Sequence, residues 1–234
     1  MPTDLYLVRH GENYANLTKE FSYRRVDYAL TSKGRLQAEQ TGDLFRGQPI
    51  SAIYSSPLRR AYETADFIAA ARGLRTVILE NFREIDVGVL EEQPPTPENW
   101  ALHNEILHAW RHGEPQRRFP GGESLDILWR RVSAGYTQIV QAHPDEHVVI
   151  VAHGGVIAMT TGLLCPDADM ATWLRQENHN CAVTHVRVAV DGRGPVGHLV
   201  RYGAWDHLHG AAAAIVSSLP DEAFWREQAA AKPA

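Results

Sequence analysis

Only two cysteines occur in 234 residues, Cys165 and Cys181. Neither sits in a CxxC pair or in a Cys/His spacing that would hold zinc. A disulfide framework and a thiolate metal centre are both set aside, and free buried thiols in a reducing compartment are expected. No apolar run approaches the ~20 residues needed to cross a bilayer. The chain passes from Met1-Pro2-Thr3-Asp4 straight into strand-like sequence, without a signal-peptide pattern. A soluble cytoplasmic protein with no membrane partner is the expectation. Basic excess is missing too: a formal net charge of -5 and a pI of about 6.2 argue against a dedicated nucleic-acid binder, while leaving room for a local basic pocket. There is no GxxxxGK[ST] phosphate loop, no HExxH and no aspartate cluster suited to magnesium. No internal repeat and no splitting linker is visible. With 44% hydrophobic and 22% charged residues, the chain reads as one α/β domain over 1–234 whose core needs no staples.

What is present begins at Leu5-Tyr6-Leu7-Val8-Arg9-His10-Gly11-Glu12. Apolar residues run to position 8 and the polarity then switches, which predicts a buried strand ending at a loop. The chain carries its own control: Arg111-His112-Gly113-Glu114 repeats the tetrapeptide but follows helical spacing. The strand before the first copy is therefore what matters. Further along, Thr31 or Ser32 can cap a helix to about Arg46. Residues 51–54 form a short strand closed by Ser55-Ser56-Pro57, a helix runs from Arg59 to about Ala71, and 75–79 form a strand. Residues 19–29 and 81–89 read as irregular. Residues 98–110 have helical spacing. Glu123 or Ser124 opens a long helix with Leu125, Leu128, Val132, Tyr136 and Ile139 on its inner face. His147 to Ala152 is a strand that gives way at His153-Gly154-Gly155 to a helix. Strands at 184–190 and 196–202 flank an Asp191-Gly192 turn, and the last 25 or so residues read as a weak helix and a tail. Alternating strands and helices predict a three-layer α/β sandwich, with a mainly parallel central sheet and helices on both faces. Residues 90–122 read as an excursion that caps the site and sets specificity.

Three features share one pattern. Arg9-His10-Gly11, Ser55 to Arg60 and His153-Gly154 each lie where a strand ends, so a parallel sheet brings them to one edge. Two His, up to three Arg and helix N-termini would meet there, which suits a dianionic oxyanion, phosphate above all. With no metal motif, a neutral imidazole is the candidate nucleophile. Arg and a protonated second His would stabilise the transferring oxygens. A carboxylic acid must protonate the leaving oxygen and later take a proton from water. Glu84 and Asp86 are the candidates, with Glu12 a third.

These residues resemble the histidine phosphatase superfamily, the phosphoglycerate mutase-like family. The resemblance rests on ordered pieces: 7–12 with Asn16; Leu30-Thr31-Ser32-Lys33-Gly34 with Gln37-Ala38; Ser55 to Ala61 with Thr64-Ala65; Glu84 with Gly88 and Glu91; Pro120 to Ser124; and 151–155. Beyond residue 160 it is limited to Asn180-Cys181-Ala182-Val183-Thr184. It implies His10 as nucleophile and Glu84 as proton donor and acceptor. Arg9, Arg60 and His153 would form the phosphate pocket, with Asn16 and the Gly154 backbone adding hydrogen bonds. Arg60 rather than Arg59 is implied by its place before Ala61, and adjacent helical residues do point about 100° apart. Two departures stand out. Glu91-Glu92 replaces the family's frequent Glu-Gly, and the insertion is short, with Arg111, Arg117 and Arg118 in place of a longer basic segment.

The expected activity is therefore metal-independent hydrolysis of a small phosphomonoester through a phosphohistidine on His10, with no cofactor. A phosphoglycerate mutase-type transfer is the alternative. A non-catalytic phosphate-binding or docking module is the third reading. Arg24 could read a second substrate charge or simply face solvent. His103, His108 and His112 read as a polar helix rather than a metal site. Trp100 and Trp110 read as core or lid packing, and Phe119 and Trp205 as candidates for the pocket mouth. A small phosphorylated substrate is the expected partner, and a homodimer is allowed for.

Overall fold

The computed structural model describes residues 1–169, 178–217 and 219–230. Six strands form one mixed sheet in the order β3-β2-β4-β1-β5-β6. The strands are β1 (Thr3–Arg9), β2 (Ile50–Ser55), β3 (Thr76–Ile78), β4 (His147–Ala152), β5 (Val183–Asp191) and β6 (Gly194–Ala204). The first four run parallel, whereas β5 and β6 form an antiparallel hairpin on the β1 edge. The helices are α1 (Tyr14–Thr18), α2 (Ser32–Phe45), α3 (Arg59–Arg72), α4 (Pro97–Arg111), α5 (Leu125–Ala142), α6 (Gly154–Leu164) and α7 (Glu222–Ala230).

Side-chain alternation divides the core between the two sheet faces. Val8, Ile53, Val149 and Val151 pack with Phe45 of α2 and Ala61, Ala65, Ile68 and Ala69 of α3. Leu7, Tyr54, Val148 and Ile150 point the other way, onto Leu128, Val132, Tyr136 and Ile139 of α5 and Val156 of α6. The inner face expected for α5 is thus the buried one. Polar residues begin the helices where the sequence offers caps. Thr31 accepts from the Gly34 N–H, and Ser124 accepts from the Ile127 N–H. Thr96 does the same for α4, followed by Pro97 at its first turn. Gly73 closes α3 in the left-handed region at φ 67°.

One reading changes. Residues 14–18, which follow the strand end expected to open a loop, form the short helix α1. Asn13 caps it by accepting from the Asn16 N–H, and Asn16 accepts in return from the Asn13 N–H. The weak terminal helix is present as α7, while the tail after it lies outside the described residues.

Candidate active site

Register places the chemistry. In the parallel ladders Arg9 pairs with Ala152 and Ser55 with Val151, so β1, β4 and β2 end nearly level. The ladder runs one residue further on either side of β4: His10 N–H donates to Ala152 O (3.0 Å) and Ser56 N–H to Val151 O (2.9 Å). His10, His153 and Ser56 are therefore neighbours at one sheet edge. The imidazole centroids of His10 and His153 lie 5.2 Å apart.

Both ring nitrogens of His10 are assigned by their partners. Nδ1 lies 2.7 Å from Gly11 O, and a carbonyl only accepts, so Nδ1 carries the proton. The Arg60 Nε–H donates to Nε2 at 3.1 Å, which makes Nε2 the lone-pair nitrogen. Burial, then the charges of Arg60 and Arg9, hold the ring well below the usual histidine range. His10 is a neutral imidazole whose Nε2 lone pair accepts from a guanidinium. Arg60 is fixed in turn: Nη1 donates to Ser22 Oγ and Nη2 to Ser22 O, both at 2.8 Å. Arg9 donates to Asn178 O. Burial lowers both arginines to about 10, and each stays charged at neutral pH.

His153 Nε2 lies 2.7 Å from Ser56 Oγ, while its buried Nδ1 has no hydrogen-bond partner among the described residues. Burial and then Arg60 push this ring well below the usual range as well. Without an anion in the pocket, burial and the neighbouring guanidiniums favour the neutral His153 ring; the protonated second histidine expected from the sequence belongs to the phosphate-bound site.

Glu84 lies in the loop after β3, against the start of α6. Its Oε1 accepts from the N–H groups of Ile85 (2.9 Å) and Val156 (3.1 Å), and its Oε2 from Gly155 (3.4 Å). Burial raises its pKa, outweighing the backbone donors and Arg60. Gly155 is what lets the carboxylate approach, because a Cβ there would stand 2.8 Å from Oε1. Asp86 spends its carboxylate on the Gly88 N–H and does not line the cavity. Glu12 is a structural group: it accepts from the Thr31 hydroxyl at 2.8 Å and pairs with Lys33 at 2.9 Å. Of the three candidate acids, only Glu84 reaches the cavity.

The loop after His10 is clamped by distant residues. The Gly11 N–H donates to Thr64 Oγ1 (3.0 Å) and the Glu12 N–H to Gln37 Oε1 (2.9 Å). Asn180 Nδ2 bridges His10 O (3.0 Å) and Asn16 Oδ1 (3.1 Å). Asn180 and Ser22 are positioning residues that the sequence reading missed. Asn180 carried only a thin family signal, and Ser22 none.

Arg9, His10, Asn16, Arg60, Glu84 and Gly154 line one cavity of about 460 Å³. His153, beside His10, is fully buried and is not in the lining. Arg24 is not in the lining. Its side chain is exposed, over the Tyr23 ring, and the backbone N–H groups of residues 23–26 all donate to Glu91 Oε1. Phe119 and Trp205 do not line it either; Phe119 packs on Trp110 and Trp205 stacks on His179. Of the three insertion arginines, only Arg111 lines the cavity. Arg117 pairs with Glu105, and Arg118 donates to Gly122 O. His108 and His112 stack on each other on an exposed face, whereas His103 turns inward to the cavity.

Comparison with known proteins bears on the same residues. A sequence model of the histidine phosphatase superfamily (branch 1) matches residues 5–199. A protein of Yersinia enterocolitica described as a probable phosphoglycerate mutase, GpmB, is 32% identical over 188 residues, covering 78% of this chain and 83% of that one. Among solved structures, a mycobacterial glucosyl-3-phosphoglycerate phosphatase matches with a TM-score of 0.72 at 26% identity, covering 88% of this chain and 100% of that one. The phosphoserine phosphatase of Entamoeba histolytica, solved with 3-phosphoglyceric acid, matches with a TM-score of 0.70 at 25% identity and the same coverage.

Proposed function

The chain belongs to the histidine phosphatase superfamily, branch 1, and from that membership we propose a phosphatase that hydrolyses a phosphomonoester through a phosphohistidine on His10. The observation that carries this reading is the neutral His10 ring, with its Nε2 lone pair held beside Arg60 and Glu84 in the same cavity. A phosphate oxygen is a stronger acceptor than Nε2, so an arriving dianion draws the Arg60 donors to itself and frees the nucleophile. Arg9, Arg60 and the backbone at Gly154 hold the equatorial oxygens, Asn16 adds a polar contact, and His153 Nδ1 gains the partner it lacks.

In the first step Nε2 forms a bond to phosphorus as the ester P–O bond breaks. The leaving oxygen takes the proton of Glu84, whose raised pKa keeps the acid form available. In the second step the Glu84 carboxylate takes a proton from water, whose oxygen bonds to phosphorus. The P–N bond breaks, with its electrons returning to Nε2. Residues 90–122, with α4 at their centre, cap the site and set its specificity.

The competing reading is a mutase that returns the phosphoryl group to a second hydroxyl, as the name of the Yersinia relative suggests. Hydrolysis is favoured in that Arg117 and Arg118 are spent outside the cavity, which leaves Lys19 and Arg111 as the bases that line it beyond Arg9 and Arg60. The test is phosphate release from a panel of phosphomonoesters in EDTA, for wild type and His10→Ala, with 3-phosphoglycerate isomerisation followed with and without bisphosphoglycerate. Release that persists in EDTA and vanishes in the variant supports the phosphatase. Isomerisation with little release makes the protein a mutase, and neither activity leaves a binding module.

A further inference from the structure

The cavity is larger than a phosphate needs, and its two ends differ in chemistry. At a water's share of roughly 30 Å³, the 460 Å³ would hold many waters beyond those a phosphate displaces. Arg9, Arg60, His10 and Glu84 occupy one end. The remaining lining sets an apolar group, Phe21, Val87, Trp100, Leu107, Met159 and Tyr202, beside polar ones that include Lys19, Glu20 and Arg111. Much of it comes from one helix. Trp100, His103, Leu107 and Arg111 all line the cavity and are spaced i, i+3, i+7 and i+11, which is a single face of α4. At ~1.5 Å per residue that face runs about 16 Å along the cavity.

The face is aromatic near the phosphate end. Phe21 lies 4.7 Å from Trp100, and His103 lies 4.9 Å from Trp100 and 5.4 Å from Phe21, centroid to centroid. His103 behaves as part of this wall rather than as a charge: burial lowers its pKa to about 4, and its Nδ1 is engaged with Asn104. Trp100 has its single donor satisfied by Lys19 O at 3.0 Å, and what it offers a ligand is apolar surface. Phe21 precedes Ser22, which holds Arg60, so the wall adjoins the phosphate pocket directly.

We infer, on the reading that His10 accepts the phosphoryl group, that the substrate is a phosphomonoester whose alcohol carries an apolar ring, bedded along α4 from Trp100 to Leu107. Ring-on-ring packing and apolar burial both favour such a body. Against the stretch from Trp100 to Leu107, a polyol such as glycerate would instead lose water from its hydroxyls to apolar side chains that cannot replace those bonds.

The test separates recognition from turnover. Binding of 3-phenylpropylphosphonate and of methylphosphonate, which cannot be hydrolysed, is measured by calorimetry on wild type, Trp100→Ala and Leu107→Asn. The expected preference for the phenyl compound in wild type is roughly ten- to hundredfold. It should fall to within about threefold in both variants, with methylphosphonate affinity held within about twofold. Leu107 is only partly buried and packs at the edge of the core, so its variant keeps the test open should Trp100→Ala fail to fold. Equal affinities in wild type, or a preference that survives both substitutions, overturn the inference. Turnover of 2-phenylethyl phosphate against glycerol phosphate, two esters with alkyl leaving groups, is measured alongside. Tight phenyl-dependent binding with no His10-dependent release would uphold the recognition and sink the phosphatase reading beneath it. Release at equal rates with equal affinities would do the reverse.

Discussion

The phosphate end and the α4 wall share one cavity but are built by different means. At the phosphate end nearly every group is held by backbone that the sheet has already placed. His10, Ser56 and His153 follow strands that end in register, and Glu84 is pinned by two N–H groups at the head of α6 and by that of Ile85. The α4 wall hangs between two irregular segments. Its hold on the rest of the site includes the Trp100 bond to Lys19 O and, through Glu91, the turn at residues 23–26. On the proposed function, the sheet positions the reacting groups, whose tolerance is tight, while an excursion carries the surface proposed to meet the leaving alcohol. The wall can change without moving the nucleophile, which suits a fold whose relatives are named for different phosphate esters.

The contrast breaks most sharply at His10. His10→Ala removes the proposed phosphoryl acceptor, and kcat should fall by at least ~10³-fold, with every substrate affected alike. Steady-state release and acid-labile labelling of the protein check this together. A wall substitution should instead change the ranking of substrates. If His10→Ala altered ranking but not rate, the division between the two ends would be wrong.

Glu84→Gln comes next. It should cost ~10²–10⁴-fold on alkyl phosphates, which need a proton on departure, and much less on p-nitrophenyl phosphate, whose leaving group needs none. The pH profile follows from the same residues. His10 must be neutral, and its pKa lies below 6.5, so activity falls only on the acid side of that value. Glu84 must be protonated, and its pKa lies above 4.5, so kcat/KM for alkyl phosphates falls as pH rises through the raised value. A bell with both limbs is expected for wild type, and the Glu84 limb should vanish in the Gln variant. A kcat/KM for alkyl phosphates that does not fall on the alkaline side would contradict the Glu84 assignment.

Gly34→Ala tests the packing under the nucleophile. A Cβ on Gly34 would stand 2.0 Å from Glu12 O, and one on Gly11 would stand 2.6 Å from Gly34 O. The clash is with backbone and cannot be relieved by a rotamer. A loss of about 1–3 kcal/mol is expected, read as a lowered midpoint in urea. Activity should fall further than stability, since the displaced segment carries His10.

How much of this was legible follows the same division. β1, β2 and β4 announce themselves because an apolar run gives way abruptly to Arg-His, Ser-Ser-Pro and His-Gly, so the three strand ends could be placed on one edge before any contact was known. α1 was missed because the residue that closes its cap is Asn16, not the Glu or Gln that marks a capping box in sequence. Asn180 was nearly invisible for a more general reason. It bonds the carbonyl of a residue 170 positions away, and a side chain aimed at distant backbone leaves no local pattern. The α4 wall could be read as a helix but not as a wall. Trp100, His103, Leu107 and Arg111 mix apolar, aromatic and charged types, and the same face would suit a core, a lid or a solvated surface. The insertion arginines illustrate the limit: three stood equal in the sequence, and only contact separates Arg111, on the cavity, from Arg117 and Arg118, which are spent on Glu105 and Gly122.

Arg24 marks the smallest effect and the sharpest edge between the two regions. It neighbours Ser22 and Tyr23 in sequence, and on charge alone it could serve as a reader of a second substrate anion. In the fold its guanidinium lies over the Tyr23 ring, 5.5 Å from the centroid, on the outside of the turn that Glu91 gathers. An exposed cation there is screened within about a Debye length, so Arg24→Ala should leave kcat/KM within about twofold on any phosphomonoester. Ser22→Ala, two residues away, removes the hydroxyl that holds Arg60 Nη1. It should lower kcat several-fold more than Arg24→Ala does, because a loosened Arg60 is a misplaced donor to the transferring phosphate. Equal effects from the two substitutions would mean that the whole turn acts as one charged rim, and the boundary of the phosphate pocket would have to be redrawn outward to include it.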